Sequence, residues 1–140
     1  RKAEVIGEAP SVHRQPCSNP LEAARCGGGY ELAATLGATL AARHKSVPVL
    51  LDGFVCTAAA APLARLHADG LAHTCLSHCA TITGQTHRLA SYVNLEPLLG
   101  LGLRLGEGYG AALAVSIIRA ALACHTGMAT FAEAAVSQKT

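Results

Sequence analysis

Apolar positions recur at every fourth residue between Glu31 and Arg43, where Leu32, Leu36 and Leu40 make one stripe. That spacing predicts a helix over 31–43 with a single apolar face. Small residues at Ala33, Gly37, Ala41 and Ala42 let a neighbouring element come close. Val47–Leu51 is a short continuous apolar run bounded by Ser46 and by Asp52-Gly53, a pattern that suits a buried strand of a parallel sheet. A helix over 56–67 is expected next, with Pro62 either kinking it or sitting in its first turn. Leu71–Leu76 reads as a weaker second strand. Thr83-Gly84 opens a helix over 85–93, Glu96-Pro97 begins a short helical segment to Leu101, and Leu103–Leu105 reads as a short strand. The glycine-rich stretch 106–110 is a loop, and helices are expected over 111–124 and 128–136. At the amino end, 1–12 reads as the tail of a helix ended near Pro10. Asn19 is placed to cap a helix over 20–26 that has Pro20 at its first position, and Gly27-Gly28-Gly29 then breaks the chain. Helices alternating with short buried strands predict an α/β fold: a three-layer, Rossmann-like parallel sheet flanked by helices.

Composition narrows the function. The chain has 140 residues, 51% of them hydrophobic and only 14% charged, which excludes a disordered acidic or basic tail. Lys and Arg number 11 against 9 Asp and Glu, leaving no basic excess for a nucleic-acid partner. Aromatic residues make up 4%, with no Trp, so platforms for stacking bases are few. So little charge implies that other protein covers part of the surface. The longest apolar stretch, 111–124, is interrupted by Ser116 and Arg119 and falls short of the roughly 18–20 residues of a spanning helix. It reads as a buried or amphipathic helix, so no membrane partner is expected. Two of the six cysteines, Cys56 and Cys124, sit in alanine-rich runs, where Cys behaves as a small apolar residue. Reduced thiols in a reducing compartment follow: the cytoplasm, with an organelle lumen left open. The first residue is Arg, and the expectation is a processed or truncated piece.

Three groups of residues could carry chemistry. The run Leu103-Arg104-Leu105-Gly106-Glu107-Gly108-Tyr109-Gly110 combines a glycine turn with the start of a helix. Backbone amides at Gly106 and Gly108 can approach a ligand closely, and the helix amino terminus favours anions. Burial of Glu107 in this apolar setting would raise its pKa towards the range of a general base; the alternative is a tight turn with a solvated Glu. Asp52 and Gly53 stand at the carboxyl end of the first strand, the edge at which open α/β sheets bind ligands. Asp52 could equally cap the next helix, with Gly53 supplying a positive φ. Ser77-His78 follows the second strand and reaches the same edge. With His73, Cys75 and Cys79 it lacks a second ligand pair at zinc spacing, so no metal is expected. No Gly-x-Ser-x-Gly elbow accompanies Ser77. Lys2 is a single cation on a helix.

In this order the segments resemble the carboxyl-terminal part of the nicotinate-nucleotide:dimethylbenzimidazole phosphoribosyltransferase family. They are Arg1-Lys2, Asn19-Pro20-Leu21-Glu22, Gly28-Gly29-Tyr30-Glu31-Leu32-Ala33, Val47-Pro48-Val49-Leu50-Leu51-Asp52-Gly53-Phe54 and Ser77-His78, followed by Leu95-Glu96-Pro97-Leu98-Leu99, Leu103-Arg104-Leu105-Gly106-Glu107-Gly108 and Met128-Ala129-Thr130-Phe131-Ala132-Glu133-Ala134. The resemblance implies transfer of 5-phosphoribose from nicotinate mononucleotide to 5,6-dimethylbenzimidazole in cobalamin biosynthesis, without a cofactor. It implies Glu107 as general base and Lys2 as a contact of the 5′-phosphate. Asp52, Gly53, Ser77, His78, Gly106 and Gly108 would line the substrate cleft. A homodimer and a larger domain, of which residues 1–140 form the carboxyl-terminal portion, are also implied.

The chain departs from the family pattern in two places. Ala80-Thr81-Ile82 stands where members carry Ser-Ala-Glu, and Tyr109 replaces a small residue between the last two glycines. These departures keep a rival reading in view, a noncatalytic α/β interaction module derived from the enzyme.

Overall fold

The computed structural model describes residues 2–12, 19–79, 85–104 and 106–136. Its elements in chain order are α1 (Lys2–Val12), α2 (Pro20–Gly27), α3 (Tyr30–His44), β1 (Val49–Leu51), α4 (Gly53–Leu66), β2 (Thr74–His78), α5 (Gln85–Tyr92), β3 (Pro97–Leu99) and α6 (Tyr109–Gly127). The strands form one parallel sheet in the order β1-β2-β3, flanked by helices in the α/β, Rossmann-like arrangement the sequence pattern implies. Leu51 pairs with Leu76, and His78 pairs with Leu99. Asp52, His78 and Gly100 therefore mark one edge of the sheet, its carboxyl edge.

Local chemistry sets several boundaries. Asn19 caps α2 as its side chain suggests, accepting the Leu21 N–H at 2.9 Å. α1 continues through Pro10 to Val12 rather than ending there. β2 begins three residues later than the apolar run, because Leu71–His73 is a turn: both the N–H and the hydroxyl of Thr74 donate to Leu71 O, at 2.9 and 2.8 Å. This shift makes His78 the last residue of the strand. α4 starts directly after Asp52 and carries Pro62 inside it, where the ring costs one backbone hydrogen bond without ending the helix.

Other expectations fail. The segment from Pro97 is a strand, not a helix. Proline at a first position suits either element, but Gly100 and Gly102 follow at once and leave a helix no length in which to propagate. Leu103 and Arg104 pair with no strand among the described residues, and Leu105 lies outside them. Residues 128–130 are irregular and 131–135 are turns. All are exposed, so a helix there has no surface against which to bury an apolar face. The proposed helix opening at Thr83-Gly84 also lies outside the described residues.

The core gathers between β1, β2, α4 and α5. Leu51, Ala60, Leu63, Leu71, Leu76, Cys79, Ala90 and Val93 form one buried cluster, with Leu36, Val49 and Leu95 packed against it. α2, α3 and α5 collect around α4, whereas α6 lies against all three strands. Only Gly110 and Ala114 of α6 are buried, and Leu113, Ile117, Ile118 and Leu122 stand exposed. This 19-residue helix extends beyond the 111–124 run at both ends and so, contrary to the expectation that the stretch falls short, is by length and composition alone long and apolar enough to cross a membrane. Among the described residues Cys26, Cys56, Cys75, Cys79 and Cys124 carry free thiols.

Candidate functional site

The site is built where β1 and β2 end side by side. Asp52 leaves β1 and His78 closes β2, and their parallel pairing brings the two side chains together: His78 Nε2 lies 3.2 Å from Asp52 Oδ1. Both are nearly removed from solvent, with side-chain exposures of 4% for His78 and 10% for Asp52. His78 Nδ1 is buried with no hydrogen-bond partner. A proton there would be a buried donor without an acceptor, so the neutral ring favours the tautomer that carries its proton on Nε2, facing the carboxylate.

Asp52 does not cap its own helix: α4 has no side-chain cap. Its carboxylate reaches instead to the amino end of α6. Oδ2 accepts the Gly108 N–H at 3.1 Å, and Oδ1 accepts the Ala111 N–H at 3.0 Å. Gly108 is the N-cap of α6 and, at φ 79°, occupies the left-handed region, which glycine enters without a side-chain penalty. It has no side chain with which to cap the helix, so the cap arrives from another strand. A capping box satisfies the same two donors, at the N-cap and third helical positions, with local side chains; here one distant carboxylate does both.

Two glycines make room for the histidine. A Cβ on Gly110 would stand 1.8 Å from His78 Cδ2, and one on Gly53 would stand 3.1 Å from His78 Cε1 and Nε2. Gly53 has φ 67°, the positive angle anticipated for it. Sequence reasoning placed Gly110 only within a loop; its signal was a glycine in the first turn of an otherwise alanine- and leucine-rich helix. The amide of Ala111 was likewise not anticipated.

The other site residues divide by burial. Ser77 is fully buried, and its hydroxyl donates to Leu51 O at 2.7 Å, tying β2 to β1. Its side chain faces the interior. Gly106 and Glu107 are exposed beside the carboxyl edge, so the burial expected around Glu107 is absent from the described chain. The expectation that the start of α6 favours an external anion is also revised, since Asp52 already supplies a carboxylate to two of its amides. Tyr109 is 53% exposed and leaves the Asp52 contacts intact. Lys2 is the first residue of α1, but its side chain, like Ala80-Thr81-Ile82, lies outside the described residues. Among the described residues no three His, Cys, Asp or Glu side chains gather as metal ligands. Cys79, beside His78, packs its Sγ 3.7 Å from His87 Nδ1, and burial pushes its thiol pKa up.

Residues 1–136 match the family model described as a phosphoribosyltransferase. The chain belongs to this family.

Relatives include a nicotinate-nucleotide–dimethylbenzimidazole phosphoribosyltransferase of Mesorhizobium japonicum, 58% identical over 139 residues, covering 99% of this chain and 41% of that protein. A protein of the same name from Ruegeria sp. is 54% identical over 136 residues, covering 97% of this chain and 40% of the relative. The crystal structure of CobT from Thermus thermophilus superposes with a TM-score of 0.86 at 36% identity, over 99% of this chain and 40% of that one. The chain thus spans about two-fifths of the length of the relatives it matches.

Proposed function

We propose that this chain carries the general base of an enzyme that transfers 5-phosphoribose from nicotinate mononucleotide to 5,6-dimethylbenzimidazole, in cobalamin biosynthesis. The products are α-ribazole 5′-phosphate and nicotinate. The observation that carries the reading is the 58% identity, over nearly the whole chain, with a relative named for these two substrates. The exposure of Glu107 at the carboxyl edge of a parallel sheet supports it, because this is the edge at which such sheets bind ligands.

In this reading a neutral benzimidazole nitrogen attacks the anomeric carbon from the face opposite nicotinate. The bond from that carbon to nicotinate breaks, and its electron pair neutralises the pyridinium nitrogen of the leaving group. Attack leaves positive charge on the benzimidazole ring. The Glu107 carboxylate stabilises that charge and takes the N–H proton from the other ring nitrogen. Inversion at the anomeric carbon converts a β-linked substrate into an α-linked product.

Lys2 is assigned to the 5′-phosphate, and Gly106 gives the substrate close access to backbone, while Gly108 holds the turn through its bond to Asp52. Asp52, Gly53, Ser77 and His78 lie beneath the cleft and support it from the buried side. The 140 residues act as the carboxyl-terminal portion of a larger domain in a cytoplasmic homodimer, with no membrane or nucleic-acid partner. The exposed apolar face of α6 is a surface that other protein would cover.

The test is product formation. The protein expressed from its complete reading frame, incubated with nicotinate mononucleotide and dimethylbenzimidazole, should release nicotinate and α-ribazole 5′-phosphate in equal amounts. Folded protein that forms neither would contradict the assignment.

A further inference from the structure

We propose that Asp52 and His78 are positioning residues for the Glu107 loop, fixing the base through the amino end of α6 without touching the substrate. The proposal rests on the reading of Glu107 as general base. Glu107 itself is exposed. The residues around it are held: Asp52 binds the amides of Gly108 and Ala111, and these lie one and four positions beyond Glu107. Asp52 is fixed in turn by the His78 ring, and Gly53 and Gly110 confine that ring from two sides. The chain of contacts runs from the end of β2, through the end of β1, to the start of α6. Each link is short, and its two central side chains are nearly buried.

Two consequences follow. With Asp52 bound to the amides of Gly108 and Ala111, these groups are not available to the substrate's phosphate. Loosening the pair should also lower turnover more than substrate binding, because displacement of a reacting group by about 1 Å can cost about a hundredfold.

Asp52→Asn replaces one of the two accepting oxygens with an amide that cannot accept. His78→Phe keeps the ring volume but removes the donor, whereas His78→Gln restores an N–H at the end of a side chain of similar reach. Measured on protein from the complete reading frame, Asp52→Asn and His78→Phe should lower kcat by about 10- to 100-fold with KM changed less than about threefold, and His78→Gln should recover most of the loss. In a Glu107→Gln background Asp52→Asn should have no further effect on kcat, because the group it positions is gone. Hydrogen exchange of a peptide spanning 106–113 should quicken at least about tenfold in Asp52→Asn, whether or not transfer is observed.

Equal losses in both backgrounds, or unchanged exchange, would overturn the positioning role while leaving Glu107 as base. Full activity of Glu107→Gln would overturn that assignment. In that event faster exchange would still establish the Asp52 cap, but the link from cap to catalysis would fall with the base.

Discussion

Asp52 and His78 meet across the ends of neighbouring parallel strands, Oδ1 to Nε2 at 3.2 Å, with both side chains nearly buried. Neither residue is packed by its own element alone. β1 and β2 deliver them to one point, and α6 closes over it by offering Gly110 to the ring and two amides to the carboxylate. The sheet edge and the glycine loop are thereby joined into one unit.

That junction makes Gly110→Ala an informative substitution. In an ordinary helix interior the change would gain up to about 1 kcal/mol. Here the added Cβ would stand 1.8 Å from His78 Cδ2, and overpacking of this kind costs about 1–3 kcal/mol or more. We expect the clash to win, with a net destabilisation of about 2 kcal/mol by urea denaturation. A neutral or stabilised variant would show that α6 does not pack on His78 as described.

Much of this arrangement was legible in the sequence. The apolar run over 47–51, bounded by Asp52-Gly53, marks β1, though the strand itself starts only at Val49, and Asn19-Pro20 marks a helix start. The glycines around Glu107 leave open whether it is buried or solvated, and it is exposed. These are local signals. The capping of α6 by Asp52 spans 56 and 59 residues, and no periodicity reports a contact of that range. Asp52 directly before α4 instead suggests a local cap, which the side chain does not make. β3 was missed because Pro97-Leu98-Leu99 is too short for periodicity to distinguish a strand from a helical turn. The segment after α6 shows the opposite error: its pattern favours a helix, but it has no partner surface.

Thr130 and Glu133 form a reciprocal cap on the turn over 131–135. Glu133 Oε2 accepts the Thr130 N–H at 2.7 Å and its hydroxyl at 2.9 Å, while Thr130 Oγ1 receives the Glu133 N–H at 3.3 Å. The backbone hydrogen bond first, and then the hydroxyl, hold the Glu133 carboxyl below its usual pKa. Because the folded value is the lower one, the turn is favoured above the ordinary Glu range and loses this support as pH falls through the folded pKa. Side-chain NMR titration should find Glu133 below a reference Glu, and Thr130→Val should move it part of the way back. A Glu133 that titrates at the reference value in both proteins would contradict the cap.

The exposed apolar face of α6 sets the behaviour of the isolated segment. Leu113, Ile117, Ile118 and Leu122 are all open to solvent, and contiguous apolar surface of this kind drives association. Expressed as residues 1–140 alone, the chain should be poorly soluble or self-associate, read by light scattering. A soluble monomer that unfolds in one cooperative transition would show that this face needs no covering.

The central claim is that Glu107 takes the proton from the attacking base, and Glu107→Gln tests it most directly. The amide keeps nearly the same shape but cannot accept a proton at neutral pH. In protein from the complete reading frame, kcat for phosphoribosyl transfer to dimethylbenzimidazole should fall by about 10²- to 10⁴-fold, with thermal stability unchanged. Transfer at the unsubstituted rate would contradict the account.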